Sequence, residues 1–139
     1  MKVESPLAPN LSGGSPGPKK TGLSLDARTH SGTIVLHCQG RLIFHNEAHA
    51  LAATVSEVLP IAQRMVVDLS GVEVIDSAGL GELVLLYMWA DAAGYILKFC
   101  GAKRSVREIM EFTNLTSILD LHPSVPDAIT AMQSVEASH

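Results

Sequence analysis

Asp76-Ser77-Ala78-Gly79-Leu80-Gly81 gathers a carboxylate, a hydroxyl and two glycines where the flanking pattern opens a helix. A helix N-terminus carries unpaired backbone N–H groups and the positive end of the helix dipole, so an anion is stabilised there. A phosphate on Ser77 would bring about two negative charges to that position, and beside Asp76 it would repel an acidic or apolar partner. The segment reads as a switch made from local electrostatics, set against the plainer use of Asp76 or Ser77 as an N-cap. Each glycine inside a helix costs about 1 kcal/mol relative to alanine. Gly79 and Gly81 therefore need a compensating reason: close approach of another backbone, or a partner surface that a side chain would obstruct.

Other chemistries fit these residues less well. Ser77 as a nucleophile would need a base and an orienting acid, and Ile75 stands where the Gly-x-Ser-x-Gly elbow has its first glycine. Gly79-x-Gly81 lacks the third glycine of a dinucleotide loop, whose place Val84 takes. His45 and His49 share a helical face with Glu47 between them, but neither a third ligand nor the His-Glu-x-x-His order is present. Cys38 and Cys100 are far apart without Cys-x-x-Cys spacing and are expected as reduced core thiols. Asp68 and Asp76 suggest the acidic pocket of a phosphoaspartate receiver, but the strand order and the absent pocket lysine argue against it. No catalytic residue, cofactor or metal is expected, and the chain is read as a binding module and not an enzyme.

The composition bounds the rest. The 139 residues are 47% hydrophobic and 17% charged with a net charge of -4, which suits one folded domain and offers no basic footprint for nucleic acid. The densest basic cluster, Lys98, Lys103, Arg104 and Arg107, is expected to solvate a strand end and a helix start. With no charged leader and no run of membrane-spanning length, a cytoplasmic protein without direct membrane insertion is expected.

These residues must be held by surrounding elements. Residues 1–22 form a Pro/Gly/Ser-rich segment expected to be a flexible tail. Leu23, Leu25 and Ala27 alternate with polar residues as in a half-buried strand; after His30-Ser31-Gly32, Ile34, Leu36 and Cys38 do the same, which predicts a hairpin. Asn46 is expected to cap a helix that Pro60 stops. Met65 to Leu69 reads as a central strand covered on both faces, after which the chain leaves and returns through Val72 to Ile75. A helix is predicted from Ser77 to Ala93 with Gly94 ending it, and a strand over Tyr95 to Cys100. Ser105 is expected to cap a helix with Val106, Ile109 and Met110 that Asn114 ends in the left-handed region. Ile118-Leu119 is expected as a short edge strand, and a last helix carries Val125, Ala128, Ile129 and Met132 before fraying over residues 136–139. The order ββαβαβαβα implies an α/β fold with a mixed sheet.

Val67-Asp68-Leu69-Ser70-Gly71-Val72 followed by Ile75-Asp76-Ser77-Ala78-Gly79-Leu80-Gly81 resembles the signature of STAS domains, the family of bacterial anti-sigma factor antagonists. Val106 to Leu115 is similar to the family's later helix and exit turn, with Asn114 in place of the usual glycine, and the resemblance extends over residues 23–135. It implies a STAS-type fold in which Ser77 is phosphorylated by an anti-sigma factor that is also a serine kinase, and dephosphorylated by a serine phosphatase. It further implies that the unphosphorylated chain binds the anti-sigma factor and thereby releases a sigma factor. One position departs from the pattern: Ile43 stands where the family often has an acidic residue at the end of the second strand.

The apolar run Leu83 to Ala90 adds to this expectation. Leu80, Leu83, Val84 and Tyr87 can face the sheet, which leaves Leu85 and Trp89 as a pair beside the switch that is either exposed for a partner or covered by the tail or a neighbouring helix. The expected partner surface is thus Asp76, Ser77, Ala78, Gly79, Leu80, Gly81, Leu85 and Trp89. The alternative use of the same domain is a scaffold subunit that is never phosphorylated, for example in a lipid-transport complex.

Overall fold

A computed structural model describes residues 22–137. The expected tail up to residue 21 and the end of the expected C-terminal fray lie outside the described residues. The elements are β1 (Leu23–His30), β2 (Thr33–Leu42), α1 (Phe44–Ala62), β3 (Arg64–Ile75), α2 (Ser77–Ala93), β4 (Ile96–Cys100), α3 (Arg104–Phe112), a 3₁₀ turn (Leu115–Ser117), β5 (Leu121–His122) and α4 (Val125–Ala137). This is the expected ββαβαβαβα order. The strands form one sheet in the order β1-β2-β3-β4-β5, with β1 antiparallel to β2 and the other pairs parallel.

The period-2 pattern of the strands decides which residues go to which face. Leu36 and Cys38 of β2, Met65, Val67 and Leu69 of β3, and Leu97 and Phe99 of β4 pack with α1, α2 and α3 in the main core. Val35, Val66 and Cys100 point the other way, where Ala128, Ile129 and Met132 of α4 cover them. α4 is capped by Ser124, whose Oγ accepts from the Asp127 N–H at 3.3 Å and donates to Asp127 Oδ2 at 2.8 Å.

Several element ends differ from expectation. α1 begins two residues before Asn46, with extended Ile43 at its N-cap and no side-chain cap bond. Pro60 lies inside the last turn, because a proline there forfeits only one N–H; left-handed Gln63 ends the helix, its N–H donating to Leu59 O at 2.6 Å. Lys103, and not Ser105, is the N-cap of α3. Asn114 is left-handed as expected, with φ of 63°. The expected strand at Ile118-Leu119 is instead the exit of the 3₁₀ turn, where both N–H groups bond Leu115 O. The edge strand falls at Leu121–His122, pairing with Phe99 and Cys100.

Candidate functional site

β3 runs without interruption from Arg64 to Ile75, so the excursion expected after Leu69 is absorbed within the strand. Against β2 it carries two register shifts, between His37/Gln39 and Gly40/Arg41, which are bulges that bend its second half. Gly71 permits the first: a Cβ there would meet Gln39 Cγ at 2.5 Å and Cys38 O at 2.6 Å. The strand then ends at buried Ile75 beside Leu42, the end of β2. The Asp76 N–H donates to Leu42 O at 3.4 Å. The junctions β2-α1 and β3-α2 are therefore neighbours, and Ile43, buried at 8% exposure, is one residue from that contact.

Asp76 is the N-cap of α2. Its backbone is extended, and its Oδ1 accepts from the Gly79 N–H at 3.0 Å, which satisfies one orphan donor of the first turn. Ser77 follows as the first helical residue, and it is exposed. The carboxylate thus holds the turn and leaves the hydroxyl outside.

The two glycines have different reasons. Gly79 is buried, and a Cβ on it would run into Leu42 O and the Ile75 side chain, so it is the point where α2 closes on the sheet. Gly81 is exposed and a Cβ there would meet nothing within 4 Å; no contact in the described structure requires it.

α2 divides cleanly around its axis. Gly79, Leu80, Leu83, Leu86 and Ala90 are buried, with Val84 and Tyr87 packed at the margin. Opposite them Ser77, Gly81, Leu85, Met88, Trp89 and Ala92 are exposed, with Leu85 at 61%, Met88 at 58% and Trp89 at 37%. These positions follow the helical repeat, so Ser77 heads an exposed and largely apolar stripe. Leu85, Leu86, Trp89 and Glu82 with Ala52 and Ser56 of α1 line a shallow groove of about 290 Å³. Trp89 is steadied by an edge-on contact with Tyr95, ring centroids 5.6 Å apart.

STAS domain is the family whose profile matches residues 24–128. The chain belongs to it. Among solved structures, the STAS chain superimposes on an anti-sigma factor antagonist from Mycobacterium paratuberculosis with a TM-score of 0.70 at 26% identity, covering 80% of this chain and 94% of that one. The phosphorylated form of the Bacillus cell fate determinant SpoIIAA gives a TM-score of 0.59 at 16% identity over 78% of this chain and 99% of that one. The murine anion transporter Slc26a9 gives 0.64 at 16% identity, with 78% of this chain matching 19% of the transporter. The last two likenesses are of fold alone.

Within this STAS domain the expected partner residues separate into two kinds. Ser77, Gly81, Leu85 and Trp89 are outward, and Ala78 is half-buried beside them. Gly79 and Leu80 lie in the core and shape the turn without presenting a side chain, while Asp76 is half-buried as the cap. Met88 belongs to the stripe and was missed; its place eleven residues after Ser77 on the helical repeat was the available signal. The cysteines lie on opposite sheet faces, both buried and free. Burial first, and then the Asp68 carboxylate, push the Cys100 thiol up to about 12; Cys38 is raised further by the same causes in the same order. Among the described residues no helix is long and apolar enough to cross a membrane.

Proposed function

We propose that this STAS domain is an anti-sigma factor antagonist that binds an anti-sigma factor with serine-kinase activity while Ser77 is unphosphorylated, so releasing a sigma factor. Phosphorylation of Ser77 ends the binding, and a serine phosphatase restores it. The observation that carries this reading is the exposed Ser77 at the head of the stripe of Gly81, Leu85, Met88 and Trp89. A phosphate there sits on the dipole end of α2, so the domain tolerates it. It also adds charge next to the apolar surface, where a docked partner would have to desolvate it. The likeness to a mycobacterial anti-sigma factor antagonist at 26% identity supports the same use of the domain.

Incubation with the cognate kinase and ATP should add one phosphate, located at Ser77 by fragmentation mass spectrometry. Ser77→Ala should remove the modification and keep the binding, and Ser77→Asp should weaken binding by at least about tenfold, or about 1.4 kcal/mol. Modification elsewhere, or partner binding indifferent to Ser77→Asp, refutes the switch; the second result is the one a constitutive scaffold would give.

A further inference from the structure

The sheet face opposite α1, α2 and α3 is covered by α4 over Val35, Val66 and Cys100. Beyond that cover, β1, β2 and β3 present polar side chains around a shallow cleft of about 250 Å³, among them Asp26, Arg28, His37, Gln39, Asp68 and Ser70. His37 Nδ1 lies 2.8 Å from Asp68 Oδ2, and Asp68 Oδ1 is held by the Ser70 N–H at 3.0 Å. On the far side of the ring, His37 Nε2 lies 3.1 Å from His30 Nε2. With the His37 Nδ1–H donating to Asp68 Oδ2, the neutral tautomer of His37 keeps its lone pair on Nε2, on the side of His30.

Two imidazole nitrogens facing each other at this distance have two uses. One shares a proton, as the hydrogen bond does. The other shares a metal ion: nitrogens bound at about 2.0–2.1 Å stand roughly 2.8–3.4 Å apart for ligand angles between right and tetrahedral, and the observed 3.1 Å lies inside that interval. The Asp68–His37 bond is the carboxylate–histidine arrangement that fixes the tautomer and raises the basicity of a ligating imidazole. Among the formal charges of the cleft, Asp26 and Asp68 outnumber Arg28, which favours a cation. Among the described residues no group of three His, Cys, Asp or Glu is gathered for a metal, so water from the open cleft would complete the coordination.

We infer that His30 and His37 form a two-histidine site for a divalent late transition-metal ion of the zinc class, oriented by Asp68 and independent of the Ser77 surface. Zinc titrated into the full chain by calorimetry should bind with one-to-one stoichiometry. His30→Gln should weaken this by at least about tenfold with melting of the zinc-free protein unchanged, and Asp68→Asn by about 10–100-fold. Ser77→Ala should leave zinc binding as it is. His45 and His49, four apart in α1, supply the control: His45→Gln with His49→Gln should not alter the affinity. Absence of zinc binding, binding untouched by His30→Gln, or binding lost in the His45/His49 variant would each overturn the site. His30→Gln carries the test even where Asp68→Asn fails to fold, because His30 is only partly buried.

Discussion

Asp76 and Gly79 act as a pair: the carboxylate caps the N–H of the residue whose missing side chain lets the helix approach Leu42. Asp76→Ala should cost about 1 kcal/mol in urea unfolding, the usual value of an N-cap. Gly79→Ala should cost more, because the new methyl meets a backbone carbonyl that cannot swing away. Gly81→Ala should do the reverse and stabilise the domain by about 0.5–1 kcal/mol, since alanine is the better helix former and the site is open. If partner approach is what Gly81 serves, the same variant should bind more weakly while melting higher. Cys100 acts at alkaline pH. Its thiol is raised from 9.0 to about 12, so the folded state keeps a proton that the unfolded chain releases earlier. The stability this contributes is intact below pH 9 and is lost as pH rises toward 12. The urea midpoint of the parent should therefore fall more steeply above pH 9 than that of Cys100→Ala, and iodoacetamide at pH 8 should label neither cysteine until the protein unfolds.

At the level of elements, what could be read from the sequence was what a periodic pattern carries across many residues. The hairpin, the central strand, α2 with Gly94 behind it, and left-handed Asn114 all rest on such patterns or on a residue of special backbone freedom. The ends that escaped are those set by tertiary contact. Ile43 has no capping chemistry, yet it starts α1 because Leu42 is still paired in the sheet. Ile118-Leu119 looks like a strand by composition, but its N–H groups are taken by Leu115. The candidate surface was read in the same uneven way: outward Ser77, Leu85 and Trp89 and inward Leu80 follow from helix phase, whereas the meeting of His30, His37 and Asp68 depends on pairing across the sheet. The two-residue β5 depends on a side-chain tie of the same long-range kind. Lys98, 4% exposed, reaches Asp120 Oδ2 at 2.5 Å, and Asp120 Oδ1 bonds His122 at 2.8 Å. Removing the partner of a buried charge is worse than removing the pair. Asp120→Ala should thus destabilise by about 3 kcal/mol in chemical unfolding, the low end for a buried pair because Asp120 is partly exposed, and adding Lys98→Met to it should recover most of the loss.

Taken whole, the molecule places its two chemistries on different sides of the sheet: the Ser77 stripe on the α2 side and the histidine-aspartate cluster on the side of α4. This separation lets the stripe be tested without disturbing the core. Trp89 is the single tryptophan of the chain, and it lies in the stripe with its ring held by Tyr95. A partner seated on α2 would bury that indole, so binding should shift its emission to shorter wavelength in the unphosphorylated protein and leave it unmoved after phosphorylation of Ser77. Leu85, more exposed than Trp89, gives the cleanest variant. Leu85→Asp places a charge within the stripe without entering the core, so the melting temperature should stay within about 2 °C, as for surface substitutions of under 0.5 kcal/mol. Affinity for the partner should fall by at least about tenfold, because an unpaired carboxylate would have to be desolvated in the interface. An emission shift that survives both Leu85→Asp and phosphorylation would place the partner elsewhere on the domain and separate the fold's shared architecture from the switch proposed for it.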